Sequence, residues 1–152
     1  MTTVDTAIAR FAGDVQVGDA IPPVEHRPTQ VQLFRYCAVT WNAHRIHYDK
    51  DYAASEGYPD VLVQSHLHGA FLTSLCTGWM GEHGRLVRVQ YSVRRFACPG
   101  DVLRCEGEVV RVEPADGGVV AHLRIREVRE SDDVECARGE AEVFLPVGTG
   151  GS

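Results

Sequence analysis

The chain has 152 residues, 44% of them apolar and 24% charged, and a formal net charge of −6. That length suits one domain, which buries about 70% of the surface its unfolded chain exposes and needs no disulfide or metal to fold. The balance excludes a mainly disordered chain, and the negative charge argues against a dedicated nucleic-acid binder.

The N-terminal MTTVDTAIARFAGDV has no basic region followed by an apolar stretch, so no secretory leader is expected. A Pro-punctuated extended stretch, VGDAIPPVEHRP, follows. Thr29 then stands three residues before Gln32, the spacing of a helix-capping box. Behind it Val31, Phe34, Cys37 or Ala38, and Trp41 recur at helical spacing and predict a helix over 31–41. Residues 42–64 have little periodicity and read as loops around a short helix at 50–55. Ser65 reads as the N-cap of a second helix running to Met80. Its apolar and small residues spread round the wheel, so it is expected to be buried on more than one side.

From residue 86 the pattern changes to alternation. Strands are predicted at 86–96, 102–113, 119–130 and 134–146, separated by the turns Cys98-Pro99-Gly100-Asp101, Asp116-Gly117-Gly118 and Asp132-Asp133. Short turns between consecutive strands predict an antiparallel meander. The fold class is therefore α+β, one long helix wrapped by a curved sheet, in a single domain over 1–147 with a flexible tail at 148–152. No run approaches the roughly 20 apolar residues of a membrane helix. The five cysteines are scattered with no C-x-x-C pair, which predicts reduced thiols, no structural zinc and a cytoplasmic setting.

Most of the chemically capable residues fall in Thr40–Asp49, directly after the first helix. His47 is the candidate acid-base group, because imidazole titrates near neutral pH. Asn42 is placed to hydrogen-bond a water or a substrate oxygen. Asp49 has two readings: it orients His47, or it caps the short helix. Arg45 also has two, a substrate phosphate or a carboxylate of the fold. Arg94 and Arg95 belong to a basic cluster that meets either a ligand phosphate or solvent.

The string FRYCAVTWNAHRIHYDKDYAASEGYPDVLVQSHL, from Phe34 to Leu67, resembles the hydratase segment of MaoC-like proteins. Within them it is most similar to the mitochondrial-type 3-hydroxyacyl-thioester dehydratases and mesaconyl-CoA-type hydratases. The Gly-Asp-Ala-Ile-Pro opening at Gly18–Pro22 and the Arg-Phe-Ala-Cys-Pro-Gly-Asp turn at Arg95–Asp101 fit the same pattern. The resemblance implies a hotdog fold and dimers, or higher homo-oligomers, with a hetero-oligomer as the variant. It implies an acyl thioester of coenzyme A or acyl carrier protein as ligand, with no cofactor, metal, nucleic acid or membrane partner. The implied reaction interconverts a 2-enoyl and a 3-hydroxyacyl thioester. The alternatives are a non-catalytic subunit of a heteromeric hydratase and a hotdog thioesterase.

By the resemblance, His47 and Asn42 are catalytic and the Ser65 backbone N–H is the oxyanion donor, while Arg45, Gln64 and His66 bind substrate. Two positions depart from the broader family. Its catalytic aspartate aligns with Asn42, and its His-Gly-Pro-Leu aligns with Gln64-Ser65-His66-Leu67.

Overall fold

The computed structural model describes residues 9–148. The leader-free N-terminus expected at 1–15 and the tail expected at 148–152 lie largely outside the described residues.

Helix α1 spans Gln30–Thr40. It starts where Thr29 takes an extended conformation and its hydroxyl accepts from the Gln32 N–H at 3.1 Å, filling one of the orphan donors of a helix start. A short α2 spans Lys50–Ser55, and α3 spans Ser65–Met80. Helix α3 buries Leu67, His68, Gly69, Phe71, Leu72, Leu75, Cys76 and Trp79, a set that wraps more than half the wheel. Gly69 serves close packing, since a Cβ there would collide with the Tyr91 ring. No helix among the described residues is long and apolar enough to cross a membrane.

The sheet has five antiparallel strands in the order β1-β3-β4-β5-β2. They are β1 (Ala20–His26), β2 (Arg85–Val93), β3 (Leu103–Ala115), β4 (Gly118–Arg129) and β5 (Val134–Pro146). Leu103, Cys105 and Val109 of β3 point inward with Ala121, Leu123 and Ile125 of β4 and Ala141, Val143 and Leu145 of β5. That is the period-2 set a one-sided sheet requires. Their partners on the other face form cross-strand ion pairs such as Arg124–Glu108 and Arg126–Glu106.

Three expectations change. The meander holds only for β3-β4-β5. Strand β2 pairs with β5 and not with β3; alternation along a strand says nothing about its neighbour. The Pro-rich stretch contains a strand, β1, with a register shift between Ile21 and Val24. It lies at the sheet edge, where Pro22 and Pro23 need not donate to a neighbour. The stripe on α1 faces outward. Leu33 and Cys37 are buried, while Val31, Phe34 and Trp41 are exposed, Trp41 by 93%.

Candidate functional site

The site is built where α1 stops. Trp41 takes a left-handed conformation at φ 54°, its N–H returning to the Cys37 carbonyl. That reversal turns Asn42 back toward the following loop. Asn42 Oδ1 accepts from the His44 N–H at 3.2 Å, and His44 Nδ1 accepts from the Ile46 N–H at 3.2 Å. One turn of 3₁₀ helix, Arg45–His47, follows. The loop is pinned to the segment entering α3 by two bonds. The Leu62 N–H donates to Ile46 O at 3.0 Å, and His47 Nδ1 bonds Leu62 O at 2.8 Å. Leu62 lies three residues before α3, so this pair carries His47 to the start of the central helix.

A carbonyl only accepts, so the Leu62 bond places the proton on Nδ1 and leaves the Nε2 lone pair as the basic atom. Burial lowers the His47 pKa. The Leu62 bond, which favours the cation, offsets part of this, and the neighbouring His44 adds to the lowering. The half-buried ring is therefore held toward its neutral form.

Asp49 takes the capping role. It accepts from the Tyr52 N–H at 3.0 Å to start α2 and pairs with Arg45 at 2.6 Å. These bonds, the Tyr52 one first, hold its carboxyl below the usual range. Arg45 also lies over the Tyr52 ring at 4.9 Å. It is thus engaged within the fold, although more than half of its side chain is exposed.

Gln64, and not Ser65, is the N-cap of α3, and it makes no side-chain cap. Its wholly buried amide instead donates to Leu33 O at 2.8 Å, tying α3 to α1. The first intrahelical bonds run from Leu67 and His68 to Gln64 O, so the Ser65 and His66 N–H groups lie ahead of the ladder. Both residues are exposed. Ser65 needs no positive φ here, so its side chain is accommodated at the helix start. Arg94 and Arg95 lie just beyond β2 with exposed side chains, and both backbone N–H groups bond Cys136 O.

The structure thus gathers His47 and the Ser65–His66 N–H groups through Leu62, with Asn42 at the head of the same loop. A broad depression elsewhere, on the outer sheet face around Glu106, Arg124, Arg126 and Glu140, contains none of these groups. One pair escaped sequence reasoning. His68 Nδ1 meets Glu127 Oε1 at 2.5 Å inside the core. The signal was parity: Ala121, Leu123 and Ile125 point inward, so Glu127 does too.

The family model for hydroxyacyl-thioester dehydratase type 2 matches residues 14–99, more than half of the chain. The chain belongs to this family. Its members' hotdog architecture also appears among solved structures. The (R)-hydratase of A. caviae involved in PHA biosynthesis superposes with a TM-score of 0.78 at 21% identity, covering 89% of this chain and 100% of that one. The ChsH1–ChsH2 complex of Mycobacterium tuberculosis gives 0.75 at 16% identity, over 86% and 98%. Mesaconyl-C(4)-CoA hydratase of Chloroflexus aurantiacus is 44% identical over 62 residues, which is 36% of this chain and 22% of that protein's length. The dehydratase match takes in both anchors of the site, the His47 loop and the start of α3.

Proposed function

We propose that the chain is a hydro-lyase that interconverts 2-enoyl and 3-hydroxyacyl thioesters of coenzyme A or acyl carrier protein. The observation that carries this is the His47–Leu62 bond, which holds the proton on Nδ1 and leaves the lone pair on Nε2 at the approach to an uncapped helix start. In hydration, Nε2 takes a proton from water as the oxygen attacks C3. The electron pair of the double bond moves toward the thioester oxygen. The Ser65 and His66 N–H groups hold that charge, and such a donor is worth about 3 kcal/mol of barrier. The imidazolium then returns the proton to C2, and dehydration is the reverse. Asn42 Oδ1 is already occupied by the His44 N–H, so its amide NH₂ is the part that orients the water.

Arg45, Gln64 and His66 line the approach as binding residues. Gln64 contributes only its unpaired Oε1, and Arg45 only what its pairing with Asp49 leaves free. We further propose that the protein works in the cytoplasm as a homodimer, a second copy adding its edge strand to β2, which ends the sheet. An edge strand is a template for such pairing. Likeness to the chains of the ChsH1–ChsH2 complex keeps a heteromeric assembly as the second reading.

The test is a panel of enoyl- and 3-hydroxyacyl-CoA esters followed by the absorbance of the conjugated thioester. Turnover by the purified chain, lost in His47→Ala, supports the reading. Free thiol release without that absorbance change points to a thioesterase. Turnover only with a second, different chain points to the heteromer.

A further inference from the structure

The loop that carries His47 is held by a residue to which the chemistry above gives no part. His44 stands before the 3₁₀ turn Arg45–His47 as its N-cap. Its N–H donates to Asn42 Oδ1 at 3.2 Å, its carbonyl accepts from the His47 N–H at 3.2 Å, and its ring Nδ1 accepts from the Ile46 N–H at 3.2 Å. The first two use the backbone of residue 44, which any residue but proline supplies. The third belongs to the side chain, and histidine is not among the usual caps, which are Ser, Thr, Asp and Asn. The ring also packs. Its centroid lies 5.8 Å from that of His47, and it meets Tyr52 of α2 edge-on at 6.0 Å and 75°. Tyr52 in turn lies under the Arg45 guanidinium.

A backbone N–H only donates, so His44 Nδ1 carries a lone pair, the reverse of His47, whose Nδ1 carries the proton. The first N–H groups of any helical turn lack partners within it, and a turn this short has few bonds of its own. Without the ring bond the Ile46 N–H is left to water. Ile46 is also the residue whose carbonyl receives the Leu62 N–H, and the His47–Leu62 bond lies directly beside that contact. The His44 ring therefore fixes Ile46 at one end of its peptide units and Leu62 fixes it at the other. An exposed ring held in this way gives up rotamer freedom, and what it fixes is the turn on which His47 sits.

We propose that His44 is a positioning residue of the reaction: its Nδ1 bond to the Ile46 N–H holds the turn in the one arrangement in which His47 keeps its bond to Leu62, and with it the lone pair on Nε2. The proposal rests on the thioester reading above and adds a residue to its machinery. His44 acts through His47, as neither acid nor base, and what it must supply is an acceptor at the Nδ1 position. Asparagine places its amide oxygen close to where imidazole has Nδ1 and is itself a good cap. His44→Asn therefore keeps the bond, and His44→Ala loses it.

The His47 tautomer tests this without relying on turnover. Imidazole nitrogen NMR shifts of the full chain are read at about pH 8, above the usual imidazole pKa, with the His47 signals assigned by their loss in His47→Ala. Wild type and His44→Asn are expected to show His47 protonated on Nδ1, and His44→Ala a mixture of both tautomers. In His44→Ala, kcat on the enoyl esters is expected to fall about 10- to 100-fold, the range for a catalytic group displaced by up to about 1 Å. KM should stay within about threefold, because His44 makes no contact with the thioester in this role. His44→Asn should return kcat to within about threefold of wild type. Thr29→Ala is the control: it removes a side-chain cap of the same kind from the far end of α1 and should lower the thermal midpoint while leaving kcat within about twofold. A wild-type tautomer or a wild-type kcat in His44→Ala overturns the proposal. So does His44→Asn being as slow as His44→Ala, or Thr29→Ala being slowed as much. A chain that turns over no thioester, with its His47 tautomers responding as stated, overturns the hydratase reading alone. No turnover together with an unresponsive His47 overturns both.

Discussion

His47 and His68 are held alike, each through Nδ1, yet they lie in regions of opposite character. His47 sits half-buried in a loop, and its holder is the uncharged carbonyl of Leu62. His68 sits sealed between α3 and β4, and its holder is the carboxylate of Glu127. A carbonyl fixes the tautomer without adding charge, so burial controls the His47 ring and keeps it a neutral base. A carboxylate in the core makes ring and partner a single unit, whose loss leaves a buried charge unpaired. One region is therefore placed for chemistry and the other for stability. The same contrast separates the two faces of the sheet, where Arg124–Glu108 and its neighbours pair in water.

The sharpest break in this comparison is His47→Ala. It is expected to lower kcat by about 10²- to 10⁴-fold, the usual range for a general acid-base group, with the thermal midpoint nearly unchanged. Near-full turnover in this variant removes His47 from the mechanism. The reverse pattern is expected at the other ring. His68→Ala or Glu127→Ala is expected to cost about 3–5 kcal/mol of stability, because each leaves one member of a buried pair alone. The paired His68→Leu/Glu127→Leu change should recover most of that loss in denaturant midpoint. If the single and double changes cost the same, the dyad is not a unit.

Asn42→Ala is expected to raise the barrier by about 1–3 kcal/mol, one orienting hydrogen bond. Asn42→Asp keeps the acceptor for the His44 N–H and should retain measurable turnover. Its added negative charge should move the acidic limb of the pH profile upward. At the small end, Arg124→Ala on the outer face is expected to change stability by about 0–1 kcal/mol. A larger loss there would make the outer ion pairs a cooperative network.

The pH dependence sharpens the same contrast. Burial lowers the pKa of both His47 and His26. The unfolded chain takes up these protons near pH 6.5, whereas the folded chain resists them until a lower pH. The unfolded state therefore binds more protons between pH 6.5 and the lowered values, so stability falls as pH drops through that window and is level above it. The acidic limb of kcat/KM should likewise fall below pH 6.5. An inflection above that value in the wild-type chain contradicts a neutral, burial-controlled His47.

Local pattern and motif chemistry were legible from residues alone. The α3 limits, the 50–55 helix and the three strands of the β3-β4-β5 meander follow from periodicity and turn residues, which act over a few neighbours. His47 and Asn42 stood out because polar, titratable groups clustered where periodicity failed. Partner choice was not legible. Nothing in residues 86–96 says that β2 pairs with β5 and not with β3, and nothing in the α1 stripe says that Val31, Phe34 and Trp41 face outward while Leu33 and Cys37 carry the burial.

The sequence by itself therefore determined the α+β class, the central helix, and the family to which the His47 segment belongs, because each is written in spacing or in contiguous motif. Tertiary structure alone decided which edge β2 joins and that Leu62 holds His47 at the start of α3. It alone decided that Asp49 caps a helix and that Glu127 closes on His68. Each of these depends on two segments distant in sequence meeting in space, and the energy of such a meeting comes from the desolvation and geometry of both partners at once.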